Sequence, residues 1–181
     1  MTRSKAQVRY VVGDATDPEG DGPKIIAHAC NDRGRWGKGF VMALSKRWPE
    51  PGRQFRAWHE GELPDAPPFE LGRVQFVEVA RQTWVANIIG QHGLTAKSGV
   101  SPVRYDALRA GLAEVAKFAR NHKATVHMPR IGCGLAGGTW DQVGPIVEET
   151  LAETGVEVVV YDLPEKPRPR NRRSEKAEGR T

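Results

Sequence analysis

The sequence predicts an α/β fold in which one sheet lies between two layers of helices, a three-layer α/β/α sandwich. Three observations carry this. Short apolar, β-branched runs bounded by glycine and proline read as strands, and segments with apolar residues three and four apart read as helices. In the second half of the chain the two kinds alternate as strand, loop, helix, strand. That alternation calls for parallel pairing with right-handed crossovers, which puts helices on both faces of the sheet.

Residues 8–12 read as a first strand ending at Gly13, and residues 24–29 as a second, bounded by Gly22 and Pro23. The segment between them, DATDPEGDGP, has loop chemistry throughout. Residues 39–47 have helical composition and stop before Pro49, and a second short helix is expected over 52–60. The runs 74–80 and 83–89 are separated only by Arg81 and Gln82, which predicts a tight β-hairpin. Tyr105, Leu108, Leu112, Val115 and Ala119 then recur at the spacing of one buried helical face. A short strand over 125–128, a helix over 140–153 and a last strand over 156–161 complete the pattern.

A chain of 181 residues with 39% hydrophobic residues fits a single domain with a proper core. Cys30 and Cys133 lie far apart without motif spacing, so neither a disulfide framework nor a metal site is expected. A reducing, cytoplasmic setting fits that usage. No segment is long and apolar enough to read as a signal peptide or a membrane span. The net charge of +5 is concentrated at one end. From residue 164 onward seven Lys and Arg face three Glu, so the tail carries +4 and residues 1–163 only +1. Such a segment offers little to bury, so residues 164–181 are expected to be a basic, disordered tail outside the domain. A solubilising role suits it better than nucleic-acid contact.

The informative residues fall in three loops. In MPRIGCGLAGGTW a strand end is followed by Ile131, Gly132, Cys133, Gly134, Leu135, Ala136 and Gly137, with a helix expected from Trp140. Glycines permit positive φ and let an anion approach the main chain, so this run reads as a backbone cradle for a diphosphate. It has neither the Lys-Ser/Thr ending of a P-loop nor the GxGxxG spacing of a dinucleotide fold. The second loop, AHACNDRGRWGKGF, starts at a strand's C-terminal end, where ligands bind in open α/β sheets. Gly37 and Gly39 bring backbone close there, and Asn31 and Asp32 carry groups suited to sugar hydroxyls. The third element is Asp14, directly after the first strand, which fits either an amino-group acceptor or an ordinary turn residue.

Together GDAT, AHACNDRGRWGKGF and PRIGCGLAGGTW resemble the ligand loops of the macrodomain family, over about residues 8–163. Within it they are most similar to the terminal ADP-ribose protein glycohydrolase and ALC1-like branch, and also to ADP-ribose 1''-phosphate phosphatase. The resemblance implies a mixed six-stranded sheet and a cleft for ADP-ribose or an ADP-ribosylated protein, with no cofactor. Carried over, Asp14 and Ala15 would meet the adenine. His28, Asn31, Gly37, Lys38, Gly39 and Phe40 would line the distal ribose and diphosphate, and residues 131–137 would wrap the diphosphate.

The same resemblance marks a departure. The glycohydrolase pairs a nucleophilic lysine with an aspartate directly after the GCGL of the glycine loop, and here that position is Ala136. Lys97 lies where the lysine would align, but it lacks the partner that a covalent route requires. The expected activity is therefore hydrolysis of ADP-ribose from modified acidic side chains, or of related O-linked derivatives, by water. The ligand's own phosphate, Asn31 or Asp32 would position that water, with His92 as a further candidate. The alternatives are a non-catalytic ADP-ribose reader and a 1''-phosphate phosphatase.

Overall fold

The structure, a computed structural model, describes residues 4–166. The tail expectation falls mostly on residues 167–181, outside the described residues. The strands are β1 (Val8–Val12), β2 (Lys24–Asn31), β3 (Val74–Ala80), β4 (Thr83–Gln91), β5 (Thr125–Met128) and β6 (Val158–Asp162). They form one sheet in the order β1-β6-β5-β2-β4-β3. Every pairing is parallel except β3 with β4, so the sheet is mixed, as expected. The hairpin turns at Arg81 and Gln82, with Gln82 at φ 54.

Among the described residues four helices cover the sheet: α1 (Phe40–Arg47), α2 (Glu50–His59), α3 (Tyr105–His122) and α4 (Trp140–Thr150). The two-residue period of β2 sends its side chains to both faces. On one face Ile26 packs with Leu44 of α1 and with Val85, while Cys30 and Ile89 pack with Phe55 and Trp58 of α2. On the other, Ile25 and Ala27 join Leu108, Leu112 and Val115 of α3 and Val143 and Val147 of α4 in the main core. Each fully buried Leu or Ile stabilises the fold by about 1.5–3 kcal/mol. Gly111 is needed where α3 crosses β4, since a Cβ there would sit 2.3 Å from Ile88 Cγ2.

Some boundaries differ from the sequence reading. α2 begins at Glu50 because Pro51 occupies a first-turn position, where its missing N–H costs nothing. α4 stops at Thr150 and gives way to a 3-10 turn, Ala152–Thr154, closed by Gly155 at φ 91. The Val156 N–H then bonds Leu151 O, so the chain joins the sheet only at Val158. β4 runs two residues further, to Gln91.

All five parallel strands end at one edge. β2 leads into α1 on one face, whereas its neighbour β5 leads into α4 on the other. Divergent connections from adjacent strands leave a crevice between them, the usual ligand position in open α/β sheets.

Candidate ligand cleft

A cleft of about 740 Å³ opens at that crevice. One wall is the end of β2 and the loop into α1: His28, Asn31, Arg35, Gly37, Lys38, Gly39 and Phe40. The other is the loop after β5: Pro129, Arg130, Ile131, Gly132, Gly134, Leu135 and Ala136. Gln91, Leu94 and Thr95, from the end of β4 and the loop beyond it, complete the lining. The two glycine loops approach closely, since a Cβ on Gly39 would lie 3.3 Å from Leu135 Cδ1.

The glycine loop divides its backbone donors into two sets. The N–H groups of Ile131, Cys133, Gly137 and Gly138 close the loop on itself, bonding the carbonyls of Pro129, Arg130, Gly134 and Gly132. Those of Gly132, Gly134, Leu135 and Ala136 have no protein acceptor among the described residues. Opposite them stands the N-terminus of α1, where Gly39 is the cap at φ 80 and no side chain caps the helix. Its first-turn N–H groups and the helix dipole both favour an anion. Phe40 and Val41 of α1 are among the cleft residues, whereas Trp140, the first residue of α4, is not.

Several residues expected at the ligand make bonds or contacts within the frame. Asn31 Oδ1 accepts the N–H groups of Arg33 and Arg35, and its Nδ2 donates to Arg35 O, so the side chain braces its own loop. Asp14 Oδ1 accepts from the N–H and hydroxyl of Thr16 in a local turn. Ala15 is buried with Val159 and Tyr161, a cluster against which Phe40 packs. Gly137 faces Ser101 rather than the cleft, with room for no Cβ (2.7 Å to Oγ), and Cys133 bonds Ile131 O. Lys97 stands at the exposed tip of a tight hairpin, paired through its backbone with Val100, and does not reach the cleft wall.

His28 is a buried part of the wall. Its Nε2 lies 2.6 Å from Asn87 Oδ1, while Trp36 and Phe40 pack against the ring. Burial drives its pKa down to about 4 against the opposing pull of the Asn87 bond, so the imidazole is neutral. At the rim, Asp32 and His92 meet: Oδ2 lies 2.6 Å from His92 Nδ1, and Oδ1 accepts the Gly93 N–H at 2.8 Å. Burial raises the Asp32 pKa, but the Gly93 N–H, the His92 ring and Arg33 outweigh it and hold the carboxyl below the ordinary carboxylate range.

Sequence reasoning passed over Gln91 and Arg130. Arg130 forms a two-pronged bond to Asp162, 2.9 Å on each prong, with its guanidinium 5.1 Å from the rings of Tyr10 and Trp140. Its place immediately after Pro129 at the end of β5 was the available signal. Among the described residues no helix is long and apolar enough to cross a membrane, and no group of His, Cys, Asp and Glu is arranged to hold a metal.

No family model matches the chain. A macrodomain protein from Streptomyces coelicolor superposes with a TM-score of 0.76 and 51% identity, over 86% of this chain and 99% of that one. The chain belongs to the macrodomain family. The domain is also 34% identical over 163 residues to chromodomain-helicase-DNA-binding protein 1-like of Danio rerio, which covers 85% of this chain. It spans only 15% of that protein's length. A shorter stretch of 71 residues, 39% of the chain and 47% of the relative, is 34% identical to an ADP-ribose glycohydrolase of Bos taurus. This macrodomain is thus related to ADP-ribose hydrolases and, at 23% identity, to a fungal ADP-ribose 1''-phosphate phosphatase from Meyerozyma guilliermondii.

Proposed function

We propose that the cleft binds ADP-ribose and that the protein hydrolyses ADP-ribose from modified carboxylate side chains, or from related O-linked derivatives, by direct attack of water. The observation that carries this reading is the set of open N–H groups at Gly132, Gly134, Leu135 and Ala136, facing the uncapped start of α1 across the cleft. Paired backbone donors and a helix N-terminus suit a diphosphate, which delivers two negative charges to one spot.

Leaving-group chemistry supports the choice of linkage. Ala136 is buried, apolar and bonded through its carbonyl to the Val103 N–H, so it supplies no acid to the reacting centre. A carboxylate leaves as a stable anion without being protonated, whereas an alcohol or a guanidine departs poorly unless an acid assists it. Lys97, away from the cleft wall, is not required for water attack.

The same Ala136 favours a second reading, a reader that binds ADP-ribose and leaves the bond intact. Incubation with a protein ADP-ribosylated on Glu and Asp separates the two. Free ADP-ribose accumulating with time is the expected result. No release at protein concentrations that saturate binding would overturn the hydrolase and leave the reader.

A further inference from the structure

Asp32 and His92 belong to different loops, sixty residues apart in sequence, and meet at the rim of the cleft. Asn31 and Gln91, which precede them, both line the cleft, as do Leu94 and Thr95 just beyond His92. The pair is therefore attached to residues of the wall and lies at the edge of the lining, with His92 partly open to solvent. Asp32 is largely buried and His92 about half exposed, with side-chain exposures of 17% and 46%.

The bonding fixes how the ring is protonated. Asp32 Oδ1 is held by the Gly93 N–H, and its Oδ2 faces His92 Nδ1. An ionised carboxylate only accepts, so Nδ1 must carry the hydrogen. In the neutral ring Nε2 then bears a lone pair. This is the arrangement by which a buried aspartate orients a histidine base.

Substrate size places the chemistry near it. A cleft of about 740 Å³ is of the size that takes a small ligand, not a folded protein. When ADP-ribose is attached to a protein side chain, the bond to be broken must lie at the mouth, where the protein remains outside. The rim is where Asp32 and His92 stand.

We propose that His92 is the general base of the hydrolysis and that Asp32 is the positioning residue that sets its tautomer. His92 Nε2 takes a proton from water as the water oxygen bonds to the anomeric carbon of the distal ribose. The bond from that carbon to the ester oxygen breaks, and its electron pair leaves on the side-chain carboxylate. The imidazolium then returns its proton to solvent, so one ester and one water give ADP-ribose, a carboxylate and a proton. This assignment rests on the hydrolase reading of the cleft.

Asp32→Asn is the informative variant because it preserves shape. The Gly93 N–H keeps the amide oxygen, so the amide nitrogen turns to His92 Nδ1 and donates to it. The ring then carries its hydrogen on Nε2 and has no lone pair there. Release of ADP-ribose from a Glu/Asp-modified protein is followed for wild type, Asp32→Asn and His92→Gln, with ADP-ribose affinity by calorimetry and the ring tautomer from 15N chemical shifts. Both variants are expected to lose about 100-fold or more in kcat, with ADP-ribose affinity within about twofold of wild type, since the diphosphate is held elsewhere, by the glycine loop and the start of α1. The Asp32→Asn spectrum is expected to show His92 protonated at Nε2. Turnover unchanged in His92→Gln, with wild type active, would overturn the base assignment alone. Activity retained in Asp32→Asn, or an unchanged tautomer with activity lost, would overturn the positioning role. Wild type that binds ADP-ribose but releases none would overturn the hydrolase reading and the base with it.

Discussion

His28 Nε2 donates to Asn87 Oδ1 across 2.6 Å, and the direction of that bond is dictated three residues away. Gln54 O can only accept, so Gln75 must present Nε2 to it and Oε1 to Asn87. Asn87 must then present Nδ2 to Gln75 Oε1 and to Pro51 O, which leaves Oδ1 for His28. The chain runs from α2 through β3 and β4 to the cleft wall on β2, and each link determines the next. Asn87→Ala would strand the His28 N–H and the Gln75 oxygen in a fully buried place. A loss of about 2–4 kcal/mol is expected in urea unfolding. A loss below 1 kcal/mol would mean that the chain is not a stability element.

Two buried histidines make stability depend on pH. Burial lowers both His28 and His127 to about 4 from an unfolded value of 6.5. Between those values the unfolded chain binds protons that the folded chain refuses, so stability falls as pH drops from about 6.5 to about 4. Above pH 7 neither group contributes a slope. The loss is at most about 3 kcal/mol per histidine, taking about 1.4 kcal/mol per pH unit. Asp32, held below the ordinary carboxylate value, adds a further loss in the same direction once pH falls under about 4. Thermal unfolding at pH 7.5, 6, 5 and 4 should show a falling Tm. A Tm that rises on acidification would contradict the neutral assignment.

The polar chain was half visible in the sequence. His28 interrupts KIIAHACN and Asn87 interrupts TWVANIIG, each a lone polar residue in a buried strand run. They are opposite each other in the β2–β4 register, and Gln75 is opposite Asn87 in β3–β4. Register is a property of paired strands, and one strand's sequence does not carry it. The glycine loops were legible because their backbone conformation is local. Gly39 and Gly132 adopt positive φ, which excludes most other residues. The contact between Asp32 and His92 was not legible, because two loops on different strands come together only once β2 and β4 pair. The same reasoning explains Lys97, whose alignment placed it near the site while a hairpin of its own holds it outward.

The glycine loop supports a paired test. Gly134 faces open space, so a Cβ there meets nothing within 4 Å, and the residue lines the cleft. Gly134→Glu should leave Tm unchanged and place a carboxylate where the diphosphate binds, lowering ADP-ribose affinity at least 100-fold by calorimetry. Gly138 is the converse. A Cβ there would lie 2.5 Å from Gly132 O, the atom that accepts the Gly138 N–H and closes the loop. Gly138→Ala should therefore lose both affinity and stability. Unchanged affinity in Gly134→Glu would refute the cradle.

Arg130 separates geometry from charge. Its two prongs to Asp162 tie the end of β5, where the glycine loop starts, to the end of β6. A lysine keeps the charge but cannot make both bonds in one plane. If the fork holds the loop, Arg130→Lys and Asp162→Asn should each weaken ADP-ribose binding about tenfold, roughly 1.4 kcal/mol. If only positive charge near the diphosphate matters, Arg130→Lys should bind normally. Removing the Asp162 charge should then strengthen binding. The fork predicts loss in both variants, and calorimetry on the pair tells the two apart. The exposed setting of Asp162 implies that the effect on overall stability is small beside the effect on the ligand.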